Sequence, residues 1–148
     1  MTQARTFDLQ RFLPYLLNQA AQAQSLEFGA LYKREYGLLR TEWRVLAHLG
    51  CYGQMTAKEI CERTQMHKTK ISRAVAKLEE RRYLSREQVA HDRRAAILTL
   101  TSRGARVFDS LSEKALEFND LEMRRLTEEE SRILMSVLTR IAERGRTP

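Results

Sequence analysis

The chain has 148 residues, a formal net charge of +7 and a pI near 9.8, with 43% hydrophobic and 30% charged residues but only two prolines and six glycines. That composition excludes a disordered chain outside the ends and allows one domain with a real core, or a compact reader domain with helical extensions. Residues 67 to 103 hold ten Lys or Arg against four Asp or Glu, whereas the rest of the chain holds sixteen against fifteen. The excess is therefore local, which is the electrostatic footprint of a nucleic-acid reader and not of a generally basic or membrane-binding surface.

The elements follow in chain order. Residues 1 to about 12 form an arm bearing Phe7, Leu9 and Phe12, too apolar for solvent and too short to bury itself. The run Phe12 to Leu17 is far short of a membrane span and has no signal-peptide flank, which predicts a cytoplasmic protein. A long helix is predicted from Leu13 to Tyr36, with Pro14 harmless in the first turn and Gly37 placed to end it. Leu16, Leu17, Ala20, Ala21, Gln24, Phe28 and Leu31 keep helical spacing on its broad face. Thr41 is read as the cap of a second helix, with Trp43, Val45, Leu46 and Leu49 as core and Gly50 as the stop. The Thr56-Ala-Lys-Glu59 segment is a capping box opening a short third helix.

After the break at 64 to 66, the segment from His67 to Arg82 starts a fourth helix. Ile71, Val75 and Leu78 point to the core, while Lys68, Thr69, Lys70, Ser72, Arg73 and Lys77 stay outside, with no acid before Glu79. Residues 83 to 89 and 95 to 100 alternate as two strands of a hairpin whose tip is the charged stretch 90 to 94. A fifth helix is expected from the Thr101-Ser-Arg-Gly104 signal to about Leu126, roughly 39 Å at 1.5 Å per residue. The Thr127-Glu-Glu-Glu130 box caps a sixth, whose apolar stripe is Ile133, Leu134, Val137, Leu138 and Ile141. Both chain ends are apolar and unable to bury themselves, which predicts a symmetric dimer. The predicted fold is mainly α with a small β-hairpin wing. Residues 37–103 form a winged helix-turn-helix DNA-binding domain, and 1–36 with 104–148 form a helical dimerisation module.

In a helix-turn-helix the second helix enters the major groove, so His67, Lys68, Thr69, Lys70, Ser72, Arg73 and Lys77 are the candidate DNA contacts there. At the wing, Asp92 beside Arg93 and Arg94 supplies both a groove-inserting guanidinium and a carboxylate to hold its pose. Cys51 and Cys61 stand ten positions apart in no metal-ligand or paired pattern, so they read as two buried thiols. His48, His67 and His91 are isolated, and no nucleophile elbow, metalloprotease or phosphate-loop motif is present, so no enzyme, metal or cofactor is predicted.

The segments Glu42 to Gly50, Ile71 to Leu84 and Asp92 to Gly104 resemble the MarR family of bacterial transcription regulators. The last of these looks like the family's D-x-R followed by L-T-x-x-G. One departure is Arg82, where the family often has a glycine ending the recognition helix. The resemblance implies a homodimer on pseudo-palindromic duplex DNA, usually a repressor, with Arg94 as the groove-inserting residue and Arg93 on phosphate. It also implies a small aromatic or anionic effector between the dimerisation helices and the reader. Tyr32, Tyr36, Arg40, Trp43, Arg44 and His48 are the candidates, since they interleave aromatic faces with cations there. The rival reading is a winged-helix module for protein or RNA contacts, which a salt-dependent shift with duplex DNA separates from an operator reader.

Overall fold

The computed structural model describes the backbone of residues 6–89 and 92–146 and the side chains of residues 6–89 and 95–146. A short 3₁₀ turn, Leu9–Arg11, precedes α1 (Leu13–Tyr36), which has the predicted bounds, with Pro14 in its first turn and Gly37 in the left-handed region at φ 64°. Then come α2 (Arg40–Tyr52), β1 (Met55–Thr56), α3 (Ala57–Thr64), α4 (Lys68–Glu80), β2 (Leu84–Val89), β3 (Asp92–Leu100), α5 (Ser102–Met123) and α6 (Glu128–Arg144). Two compact units divide the chain, Met1–Asp109 and Ser110–Pro148, with the boundary inside α5.

The first unit holds a core of Leu38, Val45, Leu46, Leu49, Ile60, Ile71, Val75, Leu78, Leu84 and Leu98. Helix α4 packs against α2 and α3, and β2 and β3 close the core from the other side. All three α4 positions expected to point inward are buried, because they recur at three- and four-residue spacing on one helical stripe. The Thr56 box is formed: its hydroxyl accepts the Glu59 N–H at 3.2 Å, and the Glu59 carboxylate accepts the Thr56 N–H at 2.7 Å. In the second unit the Thr127 box is built the same way on Glu130.

Helix α2 departs from expectation at both ends. Thr41 lies inside the first turn, and Leu39 is the N-cap, its N–H donated to the Glu42 carboxylate. Gly50 does not stop the helix, which runs on to Gly53. Its missing side chain serves packing instead: a Cβ there would meet the Phe108 ring at 2.4 Å. The expected hairpin is a three-stranded antiparallel sheet in the order β1-β3-β2, because Met55 and Thr56 pair with Leu98 and Ile97. Strand β3 also begins earlier than expected, at Asp92 opposite Val89, with a register slip between Gln88 and Val89. Helix α5 has 22 residues, about 33 Å, shorter than expected because the chain turns at 124–126. Cys51 is exposed on the last turn of α2 and Cys61 is half-buried, so the expectation of two buried thiols does not hold.

Arg82 takes the conformation that a glycine would take freely, φ 60°. Its N–H bonds the Glu79 carbonyl at 2.9 Å, and its carbonyl accepts the Thr101 hydroxyl at 2.6 Å. The same hydroxyl accepts the Gly104 N–H at 3.0 Å. Gly104 lies against the backbone of Tyr83, where an added Cβ would fall 1.8 Å from the carbonyl oxygen. Gly104→Ala is therefore expected to cost about 3 kcal/mol or more by forcing the two backbones apart. Arg82→Gly is expected to gain about 1 kcal/mol by relieving left-handed strain. Urea unfolding of the two variants checks both signs.

Candidate nucleic-acid interface and ligand cleft

The turn between α3 and α4 is set by Gln65, left-handed at φ 56°, whose N–H closes α3 on the Cys61 carbonyl at 2.9 Å. His67 then caps α4, its Nδ1 accepting the Thr69 N–H at 3.2 Å. Lys68, Thr69, Lys70, Ser72, Arg73 and Lys77 are all exposed on α4, while Ile71, Ala74, Val75 and Leu78 are buried. One helix thus presents its cations and hydroxyls outward and is fixed by its other face. Of these cations, Lys77 is held at 3.4 Å by Glu80. Ala90 and His91 lie outside the described residues, as do the side chains of Asp92, Arg93 and Arg94, so the wing pairing rests on sequence alone.

The six candidate effector residues separate into two groups. Tyr32 is buried and stacks on Trp43 at 5.9 Å, and Phe28 meets both rings edge-on at 5.6 and 5.5 Å. Tyr32 and Arg40 line a cleft of about 340 Å³ together with Gln22, Ser25, Leu26 and Lys33. Arg44 and His48 face elsewhere: Arg44 donates to the Thr64 carbonyl at 3.3 Å, and His48 Nδ1 donates to the Arg44 carbonyl at 2.7 Å. Tyr36 offers its backbone carbonyl to Arg81 and is not among the cleft residues. Burial pushes the Tyr32 phenol above its ordinary value, with the Arg40 charge pulling partly back. Burial, and after it the Arg40 charge, lowers Arg44.

The MarR family model matches residues 36–95, which span α2 through the start of β3. Over that segment the chain resembles the MarR family. It is 27% identical over 110 residues to the HTH-type transcriptional regulator YwoH of Bacillus subtilis (strain 168), covering 74% of this chain and 79% of that one. Its fold matches the MarR/EmrR family regulator of Acinetobacter sp. ADP1 with a TM-score of 0.82 at 24% identity, over 93% of this chain and 97% of that one. Bordetella bronchiseptica BpsR, whose DNA binding is regulated by 6-hydroxynicotinic acid, matches in fold with a TM-score of 0.81 at 16% identity, over 94% of this chain and 99% of that one.

Sequence reasoning missed Gln22, Ser25 and Lys33 in the cleft. They lie on α1 within reach of Arg40 only because α1 packs on α2. No spacing in the sequence announces that crossing. Among the described residues no helix is long and apolar enough to cross a membrane, and no cluster of metal-ligating side chains forms.

The burial of Tyr32 has a consequence at high pH. A phenol whose folded value is raised keeps its stabilising contribution below the ordinary tyrosine value of about 10 and loses it as pH rises through the folded value. The wild type should therefore lose stability progressively above about pH 10 relative to Tyr32→Phe, which has no phenol to ionise. Urea unfolding of both chains across that range reads the difference, and parallel pH curves would contradict it.

Proposed function

We propose that this regulator is a homodimer that reads pseudo-palindromic duplex DNA as a ligand-responsive repressor. Helix α4 enters the major groove and Arg94 the minor groove. The observation that carries the DNA reading is the exposed face of α4, cationic and hydroxyl-bearing from Lys68 to Lys77 with no acid among its outward residues. Residues 37–103 are the reader, and 1–36 with 104–148 the dimerisation module. Apolar side chains left exposed on a single chain support the dimer: Phe7 at 70%, Leu26 at 66%, and Ile133, Leu134 and Leu138 on α6.

The test is a salt series with a selected operator and a scrambled duplex. Arg94→Ala should cost about 1–3 kcal/mol and relax preference at the outer half-site positions. Asp92→Ala should weaken binding although it removes a negative charge, because the carboxylate positions an arginine. Simple electrostatics gives the opposite sign. Tighter operator binding by Asp92→Ala at every salt concentration would reduce the wing to a charged loop.

The effector of this reading sits in the α1–α2 cleft, an aromatic anion between Lys33 and Arg40 over the Tyr32 ring. With 6-hydroxynicotinate as the probe, Arg40→Ala should raise the concentration for half-release of DNA about tenfold, the loss of one charge-assisted bond. Unliganded DNA affinity should change little. If unliganded binding collapses, Arg40 holds the fold and the cleft assignment fails.

A further inference from the structure

Helix α1 finishes with the N–H groups of Gly37 and Leu38 turned back to the Lys33 and Tyr32 carbonyls at 2.8 and 3.3 Å. That leaves the carbonyls of Tyr36 and Gly37 to be met from outside the helix. Arg81 meets both. One guanidinium nitrogen donates to the Tyr36 carbonyl and the other to the Gly37 carbonyl at 3.0 Å. Arg81 is the C-cap residue of α4, so a cation from the end of the recognition helix also sits at the negative end of the α1 dipole. The broad packing partners of α1 are α2 and the N-terminal turn, and α4 is not among them. The fork is therefore a direct tie between the recognition helix and the helix assigned to dimerisation.

We propose that Arg81 is a positioning residue that sets which half-site spacing the dimer accepts. The proposal rests on the dimeric DNA reading above. A planar guanidinium bonded to two successive carbonyls fixes an angle as well as a distance, which a single ammonium contact does not. The angle matters because Arg81 is at the opposite end of α4 from the DNA-facing residues His67 to Lys70. Thirteen residues make an arm of about 20 Å, so a swing of about 10° displaces the reading end by about 3.5 Å, the rise of one base pair. In a two-fold dimer with recognition helices about 34–36 Å apart, both arms carry that error. The bond that the Thr101 hydroxyl donates to the Arg82 carbonyl anchors the same end of α4 to the junction of β3 and α5, so it holds the reader together without reaching α1.

The experiment selects an operator from a random duplex library with the full-length wild-type chain, then measures affinity for versions with one base pair added or removed between half-sites. Wild type should prefer its own spacing by about tenfold or more, the cost of one misplaced contact. Arg81→Ala should bring that ratio below about threefold while remaining folded by circular dichroism and dimeric by light scattering, and Arg81→Lys should fall between. A loss of affinity that is equal at all spacings marks a merely structural role and overturns the proposal. If Arg81→Ala does not fold, Arg81→Lys decides: a reduced ratio supports the role and an unchanged ratio overturns it. A wild type indifferent to spacing also overturns it, and light scattering on the same sample then shows whether dimerisation has failed as well.

Discussion

The hydroxyl of Thr101 holds three elements at one point. It donates to the Arg82 carbonyl at 2.6 Å and accepts the Gly104 N–H at 3.0 Å, while its own N–H reaches the Tyr83 carbonyl at 3.1 Å. The end of α4, the end of β3 and the start of α5 are thereby satisfied together. Each of those termini otherwise has orphan backbone groups that would cost free energy if buried. Gly104 is part of the same junction, because only a residue without a Cβ lets α5 start against the Tyr83 backbone. The L-T-x-x-G pattern is thus a packing requirement before it is a family mark.

With that junction fixed, charge and apolar surface separate by location. Helix α4 turns its aliphatic stripe onto α2 and α3 and its cations to solvent. The exposed leucines of α1 and the aliphatic stripe of α6 belong to segments whose sequence balances its charges. A surface of one sign suits a phosphate polymer, and a surface without net charge suits another apolar face. The charged surface and the apolar surface thus belong to different residues of one small chain.

Features written locally were legible in the sequence. The bounds of α1, both capping boxes, the inward positions of α4 and the two main wing strands follow from spacing, cap chemistry and alternation within a few residues. Features decided by a distant neighbour were not. Gly50 looks like a stop, yet its role is room for Phe108, fifty-eight positions on. Thr41 looks like a cap, but Glu42 takes the free donor at Leu39 instead. Strand β1 has two residues and no alternation to detect, and exists because β3 has an open edge. Of the six effector candidates, chemistry alone could not tell Tyr32 and Arg40, which share a cleft, from Arg44 and His48, which bond the scaffold.

His67 fixes the start of α4 with one ring nitrogen and leaves the other exposed. Its Nδ1 accepts the Thr69 N–H, and a ring nitrogen that accepts carries no hydrogen. The neutral ring that caps α4 therefore bears its proton on Nε2, a tautomer assigned from this bond. One nitrogen is committed to the helix and the other is left as a donor on an exposed side chain at the N-terminus of α4. Serine or aspartate would cap α4 through an oxygen but present no ring donor. Histidine here therefore satisfies the start of the helix and keeps one ring donor exposed.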